Sequence, residues 1–189
     1  MELNECDLCS ERVYGTGPVP GEGNKQLARI CLLGRNPGTV EDQQKRPFVG
    51  PAGRKLNQGL ILAGLLRNEC YITNLVKCMT PKDVSPSVPC IQHCTHTWLV
   101  DELQGLEKLE LLIVFGNQAL QCFEPLGRVG MLHGTVFKTL FPGDTKDYRL
   151  IKIFVSYHPS AALRSITINT QFLDDMRKLK GLLSEPKTS

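Results

Sequence analysis

Four cysteines from distant parts of the chain carry the clearest chemical signal. Cys6 and Cys9 form a C-x2-C pair, whereas Cys78 and Cys94 follow much later with a C-x15-C spacing. Thiolates bind soft metal ions, but two zinc knuckles would need a second short pair that the sequence lacks. Four thiolates gathered from separate segments are typical of an iron–sulfur cluster. The spacing leaves a second interpretation open, in which they are unrelated buried thiols.

The other four cysteines are less informative. Cys31, Cys70 and Cys122 lie in or beside apolar runs, where a free thiol packs as a small hydrophobic side chain. Cys90 is different because it lies four residues before Cys94 on the same predicted helix. Either of these two thiols could therefore supply the last ligand.

A second group of chemically distinctive residues occupies short loops. These loops read G-R-N-P-G at 34–38, R-P-F-V-G-P-A-G at 46–53, T-N-L-V-K-C at 73–78 and H-P-S-A-A-L-R at 158–164. Each fragment alone is unremarkable, because an Asn-Pro-Gly sequence is usually a turn and an apolar-flanked Phe is usually core. Their joint occurrence is what needs an explanation.

Apolar strands that alternate with helices would bring these loops together. The pattern predicts strands at 28–34, 70–76, 109–115 and 151–157, and helices at 51–65, 89–103, 117–123 and 167–183. Near-continuous apolar strands indicate a parallel sheet covered on both faces. We therefore predict an α/β fold, a three-layer α/β/α arrangement with a central four-stranded parallel sheet. Ligands of such sheets bind at the carboxyl ends of the strands, where three of the distinctive loops begin.

Composition excludes several classes of protein. The chain has 189 residues, of which 41% are hydrophobic and 22% charged, as in an ordinary globular protein. We predict one domain over residues 1–189, with a cluster-binding segment at 1–24 and a flexible tail at 184–189. No apolar run approaches the roughly 18 residues of a membrane span, and no secretory signal is visible, which favours the reducing cytoplasm. The net charge of +3 is compatible with nucleic-acid binding but does not predict it.

Taken together, the cysteines and loops resemble the uracil-DNA glycosylase superfamily. The lead-in at 19–24 (V-P-G-E-G-N) adds to the match, which covers nearly the whole chain and is closest to family 4. The resemblance implies a 4Fe-4S iron–sulfur cluster held by Cys6, Cys9, Cys78 and Cys94. It also implies a monomeric enzyme that hydrolyses the N-glycosidic bond of a base flipped out of DNA.

The resemblance also assigns roles to single residues. Asn36 would hold the attacking water, and His158 would donate a hydrogen bond to the departing base. Phe48 would stack on the base, and Asn74 would read its edge because a carboxamide offers both a donor and an acceptor. Gly34 would let the backbone approach the sugar closely.

The resemblance places two further residues at the DNA strand. Ser160 and the residues after it would wedge the strand and contact phosphate, with Arg164 nearby as a counter-charge.

Two positions depart from the family 4 pattern. Arg35 and Asn36 replace the Glu and Ala of its usual Gly-Glu-Ala-Pro-Gly loop, so that a cation stands beside the sugar or points outward to a phosphate or a base substituent. His133 stands where the family usually has Arg. One branch of the superfamily has a His in this loop and becomes attached to its DNA. The sequence leaves four roles open for His133: a nucleophile, a catalytic aid, a phosphate contact or a structural histidine.

These departures keep alternatives open. The leading interpretation is a monofunctional glycosylase that removes uracil or a related altered base. A second keeps the reaction but changes the base to a hypermodified pyrimidine or a deaminated purine. A third is a DNA-binding relative that has lost turnover or traps DNA covalently.

Overall fold

A computed structural model describes residues 2–81, 84–141 and 149–184. Five strands form one sheet in the order β2-β1-β3-β5-β4. The strands are β1 (Ile30–Gly34), β2 (Cys70–Asn74), β3 (Leu111–Phe115), β4 (Val136–Phe141) and β5 (Arg149–Ser156). The first three and β5 are parallel, and β4 pairs with β5 in the antiparallel direction.

Helices cover both faces of this sheet. They are α1 (Thr39–Gln44), α2 (Pro51–Ala63), α3 (Val88–Cys94), α4 (Val100–Gln104), α5 (Asn117–Gln121), α6 (Val129–Leu132), α7 (Pro159–Ala162) and α8 (Ile166–Ser184). One turn of π-helix, Thr95–Leu99, joins α3 to α4 without a break. None of the described helices is both long and apolar enough to cross a membrane.

Alternate residues along the strands feed two apolar cores. Cys31, Leu33 and Val114 face the α3–α4 side, where they pack with Leu99 and Leu103. The intervening strand residues face α2 and α8 and pack with Leu56, Leu60, Phe172 and Met176. Two covered faces are what the near-continuous apolar strands predict.

The sheet has five strands, one more than the four parallel strands predicted from the sequence. The additional strand, β4, forms an edge and runs antiparallel to its neighbour. Its outward side chains include Val136 and Leu140, which are 39% and 59% exposed. Apolar residues on both faces erase the two-residue alternation by which a half-buried strand is recognised.

Other boundaries differ by a few residues. The predicted loop between β1 and α2 contains the short helix α1, and short helices α6 and α7 follow loops that the sequence leaves undefined. Helix α8 extends to Ser184, the first residue of the predicted flexible tail, and residues 185–189 lie outside the described ranges.

The N-terminal segment packs on the sheet rather than standing apart. It contains two 3-10 turns, Leu3–Glu5 and Ser10–Tyr14. Glu22 forms a backbone bridge with Ile72 on the outer edge of β2. The Val19 amide donates to the Lys77 carbonyl over 2.7 Å, which brings the segment close to the end of β2.

Candidate active site

A cleft of about 960 Å³ opens at the carboxyl ends of the parallel strands. This is the place at which parallel α/β sheets bind ligands. Seven of the residues singled out from the sequence line it: Arg35, Asn36, Phe48, Asn74, His158, Ser160 and Arg164.

Gly34 brings the aromatic and the amide side chains of the cleft together. A Cβ atom on this residue would collide with the Phe48 ring and would lie 2.6 Å from Asn74 Oδ1. Only glycine at the end of β1 therefore leaves room for both side chains. The close approach that the sequence predicts at Gly34 involves these neighbouring side chains.

Phe48 is held in an unusual backbone conformation. Its φ of +52° lies in the left-handed region, which costs a non-glycine residue about 1–2 kcal/mol. Arg67 donates to the Phe48 carbonyl over 3.0 Å and to the Pro47 carbonyl over 2.7 Å. Gly53 also permits this conformation, because a Cβ there would collide with the Phe48 carbonyl. The ring centroid lies 5.7 Å from that of His158.

A buried carboxylate, Glu41, orders the same loop from inside. Its Oε1 accepts from the amides of Val49 over 3.0 Å and Gly50 over 2.7 Å, and its Oε2 accepts from Gly38 over 3.2 Å. Glu41 is not among the residues that the sequence pattern singles out. The available signal was its position three residues after the helix-capping Gly38, which is the spacing of a capping box.

Asn74 ends β2 and is 3% exposed. Within the described part of the chain its carboxamide makes no hydrogen bond, although it lines the cleft. Its polar atoms are not among the buried atoms that lack a partner, so they are reached from the cleft. The Asn74 side chain is therefore poised to bind a ligand that offers both a donor and an acceptor.

A buried ion pair fixes the backbone of Asn74. Lys77 donates to the Asn74 carbonyl over 2.8 Å, to Thr73 Oγ1 over 2.7 Å and to Glu102 Oε2 over 2.6 Å. Thr73 donates to the same carboxylate over 2.8 Å, and Gly21 in the N-terminal segment donates to Oε1 over 3.3 Å. The sequence pattern does not single out Lys77 or Glu102. The available signal was that Glu102 has the helical spacing of apolar Leu99 and Leu106.

His158 has a defined tautomer. Its Nδ1 accepts a hydrogen bond from the Ser160 amide over 3.1 Å, and Ser160 Oγ lies 2.7 Å from the same atom. The ring hydrogen of the neutral imidazole therefore resides on Nε2. Burial, followed by the charges of Arg35 and Arg164, lowers the pKa of His158 to about 4. His158 is thus a neutral hydrogen-bond donor at physiological pH.

Asn36 is oriented by its own neighbours. Its Nδ2 donates to the Pro37 carbonyl over 3.0 Å and to Thr80 Oγ1 over 3.2 Å. Arg35 Nε donates to Asn36 Oδ1 over 2.6 Å, and its Nη1 donates to Ser85 Oγ over 3.3 Å. A carbonyl oxygen has two lone pairs, so Oδ1 retains one acceptor site for a water.

Ser160 and Arg164 lie on the His158 side of the cleft. Ser160 contacts His158 and so helps to position that ring. Arg164 is exposed, and its charge acts on His158. Together with Arg35 it gives the rim of the cleft a positive character.

His133 occupies a different environment. It is not among the described residues that line the cleft, but its ring packs against that of Tyr157, which does, at a centroid distance of 4.8 Å. His133 Nδ1 lies 2.9 Å from Asp175 Oδ1, and Ser156 Oγ donates to Oδ2 over 2.8 Å. Burial raises the pKa of Asp175.

The four cysteines of the predicted cluster approach one another beside the end of β2. Cys6, Cys78 and Cys94 are buried, and Cys9 is half-buried. The indole nitrogen of Trp98 donates to Cys6 Sγ over 3.4 Å. A hydrogen bond with Cys90 lowers the pKa of the Cys94 thiol, burial raises it, and a hydrogen bond from the Lys77 amide lowers it further. The net result is a pKa of about 7.

Four buried or half-buried thiols suit an iron–sulfur cluster. Burial, followed by the charges of Cys94, Cys9 and Cys6, raises the pKa of the Cys78 thiol, so the four thiols lie near one another. Among the described residues, the potential metal ligands within 4.8 Å of one another are Cys9, Cys90 and Glu11. Cys90 is fully buried, and its Sγ lies 3.0 Å from that of Cys9.

Comparison with known proteins identifies sequence relatives that belong to one family. A sequence model of the Uracil DNA glycosylase superfamily matches residues 20–179. A type-4 uracil-DNA glycosylase from Pyrobaculum aerophilum is 31% identical over 95% of this chain and 90% of its own length. The type-4 enzyme from Thermotoga maritima is 30% identical over 97% of this chain and 92% of its own length.

A solved structure gives a more distant match. SMUG2 from Pedobacter heparinus superposes with a TM-score of 0.48 at 12% identity, covering 85% of this chain and 77% of that one.

Proposed function

The chain belongs to the uracil-DNA glycosylase superfamily, and from this premise we propose that it hydrolyses the bond between uracil and deoxyribose in DNA. The observation that carries the proposal is the pairing, within one cleft, of an unpartnered carboxamide on Asn74 with a neutral imidazole donor on His158. The first can read a pyrimidine, and the second can stabilise it as it leaves.

Base recognition falls to Asn74 and Phe48. A uracil base offers an N–H donor beside a carbonyl acceptor, which complements the acceptor and donor of the Asn74 carboxamide. Phe48 supplies a ring on which the base stacks, a contact worth about 1–3 kcal/mol. Since the cleft is reached from the surface of the protein, the base must leave the DNA stack to enter it.

His158 acts on the leaving group. As the bond between the sugar C1′ and the base N1 breaks, its electron pair passes to the base, and negative charge grows on the neighbouring carbonyl oxygen. A hydrogen bond from His158 Nε2 strengthens as that charge grows, so it lowers the barrier rather than merely binding the substrate. The neutral state of the ring fits a hydrogen-bond donor that keeps its proton.

Asn36 positions the nucleophile. The free lone pair of its Oδ1 holds a water whose oxygen attacks C1′ as the base departs. The water loses one proton to solvent and the departing base anion takes one up from solvent, so the products are free uracil and an abasic site. No strong base is needed, because the sugar already carries positive charge when the water arrives.

Cations at the rim hold the DNA strand. Arg164 is exposed beside the cleft, and Arg35 lies across from it on the loop after β1. Both suit contact with phosphates that flank the extruded nucleotide. With a net charge of only +3, the protein neutralises few phosphates, and its affinity should fall modestly with salt.

Cys6, Cys9, Cys78 and Cys94 would hold a 4Fe-4S cluster. When bound, the cluster would supply structural ties between the N-terminal segment and the chain after β2 rather than redox chemistry. The Lys77 amide beside Cys94 and the Lys77 side chain on Asn74 support this view, since one residue serves both regions. The charges of Cys94, Cys9 and Cys6 all act on the Cys78 thiol, which supports Cys94 over Cys90 as the fourth ligand.

A substrate panel tests the proposal. Single-turnover rates are measured on duplex and single-stranded oligonucleotides that contain uracil, hypoxanthine or a modified cytosine. Uracil should be released fastest, with alkali-labile sites in equal yield. Faster release of another base would overturn uracil as the substrate, and binding without abasic product would overturn catalysis.

Two variants tie the activity to this cleft. Asn36→Ala should abolish the abasic product while leaving DNA binding within a few-fold. Asn74→Asp keeps the size of the side chain but lacks the amide donor, so it should lower uracil release about 10- to 100-fold, the cost of about 1–3 kcal/mol. Unchanged rates in both variants would place the chemistry elsewhere.

A further inference from the structure

We propose that Cys9 and Cys90 form a thiol–disulfide pair that closes when the cluster is absent. The inference concerns only the cysteine corner, which comprises Cys6, Cys9, Cys78, Cys90 and Cys94. It does not depend on the glycosylase activity. It assigns a modification site to Cys90, which lies beside the four proposed cluster ligands but is not one of them.

The two sulfurs already lie close together. Their separation of 3.0 Å must shrink by only about 1 Å to reach the disulfide bond length of roughly 2.05 Å. Cys6, the sequence neighbour of Cys9 in the C-x2-C pair, is instead engaged by the Trp98 indole. Proximity therefore favours a bond across 81 residues over the short bond within the motif.

A polar contact holds the pair in place without metal. Glu11, two residues after Cys9, accepts a hydrogen bond from the Ser87 amide over 2.8 Å. Ser87 in turn caps the helix that carries Cys90, by accepting from the Cys90 amide over 3.4 Å. The segment that bears one thiol is thus tied to the start of the helix that bears the other.

Exposure sets the order of the reaction. Cys9 is half-buried and reachable from solvent, whereas Cys90 is fully buried. With an organic disulfide such as oxidised glutathione, Cys9 loses its proton and attacks one sulfur, forming a mixed disulfide and releasing one thiol. Cys90 then loses its proton and attacks the Cys9 sulfur, releasing the second thiol. Two protein thiols are oxidised, and one disulfide is reduced.

The bond and the cluster exclude each other. Cys9 cannot bind iron while it is bonded to Cys90, and an iron-bound Cys9 is protected from exchange. A protein that has lost its iron under oxidising conditions would therefore be locked in the empty state until a thiol reductant reopened the pair.

The test uses the full chain stripped of iron by a chelator, with its fold checked by circular dichroism. After incubation with oxidised glutathione, the free thiols should fall from the eight of the sequence by two. Mass spectrometry should find the peptides that contain Cys9 and Cys90 linked. A linked Cys6–Cys9 peptide, or no loss of thiols, would overturn the proposal.

Two variants and a kinetic comparison make the result specific. Cys90→Ser should stop at the mixed disulfide, with glutathione retained on Cys9. Cys122→Ser, a half-buried cysteine outside the corner, should form the linked peptide as the parent does. Glu11→Ala should slow closure several-fold, because it removes the hydrogen bond that positions the pair.

If iron removal unfolds the chain, the iron-loaded protein is titrated with oxidant instead. The linked peptide should then appear in step with the iron released and should be absent in Cys90→Ser. A linked peptide that forms while the iron is retained would contradict the proposal.

Discussion

The ends of β2 and β5 are built on the same plan with different charges. At each end a hydroxyl on the strand donates over 2.8 Å to a buried carboxylate on a helix: Thr73 to Glu102, and Ser156 to Asp175. The carboxylate in turn meets a basic side chain, Lys77 at one end and His133 at the other. The first unit contacts the Asn74 carbonyl through Lys77, and the second contains Ser156, two residues before His158.

The difference lies in how firmly the charges are held. The Lys77 side chain is 1% exposed and is paired with Glu102, whose side chain is 10% exposed, at 2.6 Å, so the ammonium has almost no access to water. The His133 side chain is 21% exposed, and its pair with Asp175 is ionic only when the ring is protonated. The base-reading end is therefore fixed by a buried ion pair, whereas the leaving-group end is held by hydrogen bonds that tolerate neutral partners.

The largest expected effect comes from breaking the ion pair. Glu102→Gln should lower the free energy of unfolding by about 3–5 kcal/mol, because it leaves the Lys77 ammonium buried without a counter-charge. Urea denaturation measures the loss. Glu107→Gln makes the same chemical change on an exposed residue and should have almost no effect. A loss below about 1 kcal/mol in Glu102→Gln would remove the contrast between the two ends.

Loss of the leaving-group donor should affect rate rather than stability. His158→Ala should lower the single-turnover rate constant about 10²- to 10³-fold, the range found when one transition-state donor is removed. DNA affinity should change little, because the bond strengthens only as charge develops. His96→Ala, at an exposed histidine, is the matched control. Weaker binding with an unchanged rate would contradict the role given to His158.

The pH dependence of the rate should follow the lowered pKa of His158. With that pKa near 4, the rate constant should stay flat from pH 8 to about pH 5. It should fall only below that, because protonation of Nδ1 removes the acceptor of the Ser160 amide and so disturbs the position of the ring. Arg164→Gln removes one of the charges that lower the pKa, so its decline should begin at a higher pH. A fall centred near 6.5, the ordinary histidine value, would show that the ring is not shielded as described.

The same shift affects stability. An unfolded histidine takes up its proton near pH 6.5, but folded His158 does so only near pH 4. The folded state should therefore lose stability as the pH falls between these values. Above pH 6.5 the residue is neutral in both states and makes no such contribution.

The smallest effect is expected at the second carboxylate. Asp175→Asn should change the free energy of unfolding by about 1 kcal/mol or less, because the amide oxygen still accepts from Ser156 and the buried charge is removed. Urea denaturation of Asp175→Asn and Glu102→Gln under the same conditions compares the two losses in free energy of unfolding. Equal losses in the two variants would mean that both ends depend on charge to the same extent.

Much of the fold was readable from the sequence because its strands are buried on both faces. The four parallel strands and the long helices α2 and α8 lie within a few residues of their predicted positions. Strand β4 and helix α1 were missed for opposite reasons. Strand β4 carries apolar residues on both faces, and α1, with the sequence T-V-E-D-Q-Q, has only one apolar residue to mark a buried face.

The residues of the site also fall into two groups, those that the sequence singles out and those that it does not. Residues that touch the cleft stand in short Gly/Pro-rich loops, and a family resemblance was enough to select them. The residues behind them were not selected, because Glu41, Glu102 and Asp175 look like ordinary surface carboxylates until the fold buries them. The roles assigned to the cleft residues stay predictions that the experiments above address, and the monomeric state also stays a prediction.

The left-handed backbone of Phe48 limits which residues can replace it. Phe48→Gly would relieve the unfavourable φ of +52°, which costs about 1–2 kcal/mol. It would also remove a buried ring from the core beside α2 and α8, and such truncations cost about 3–5 kcal/mol. An evolving population of this protein should therefore keep an aromatic ring at position 48 under selection for heat tolerance alone as well as under selection for product.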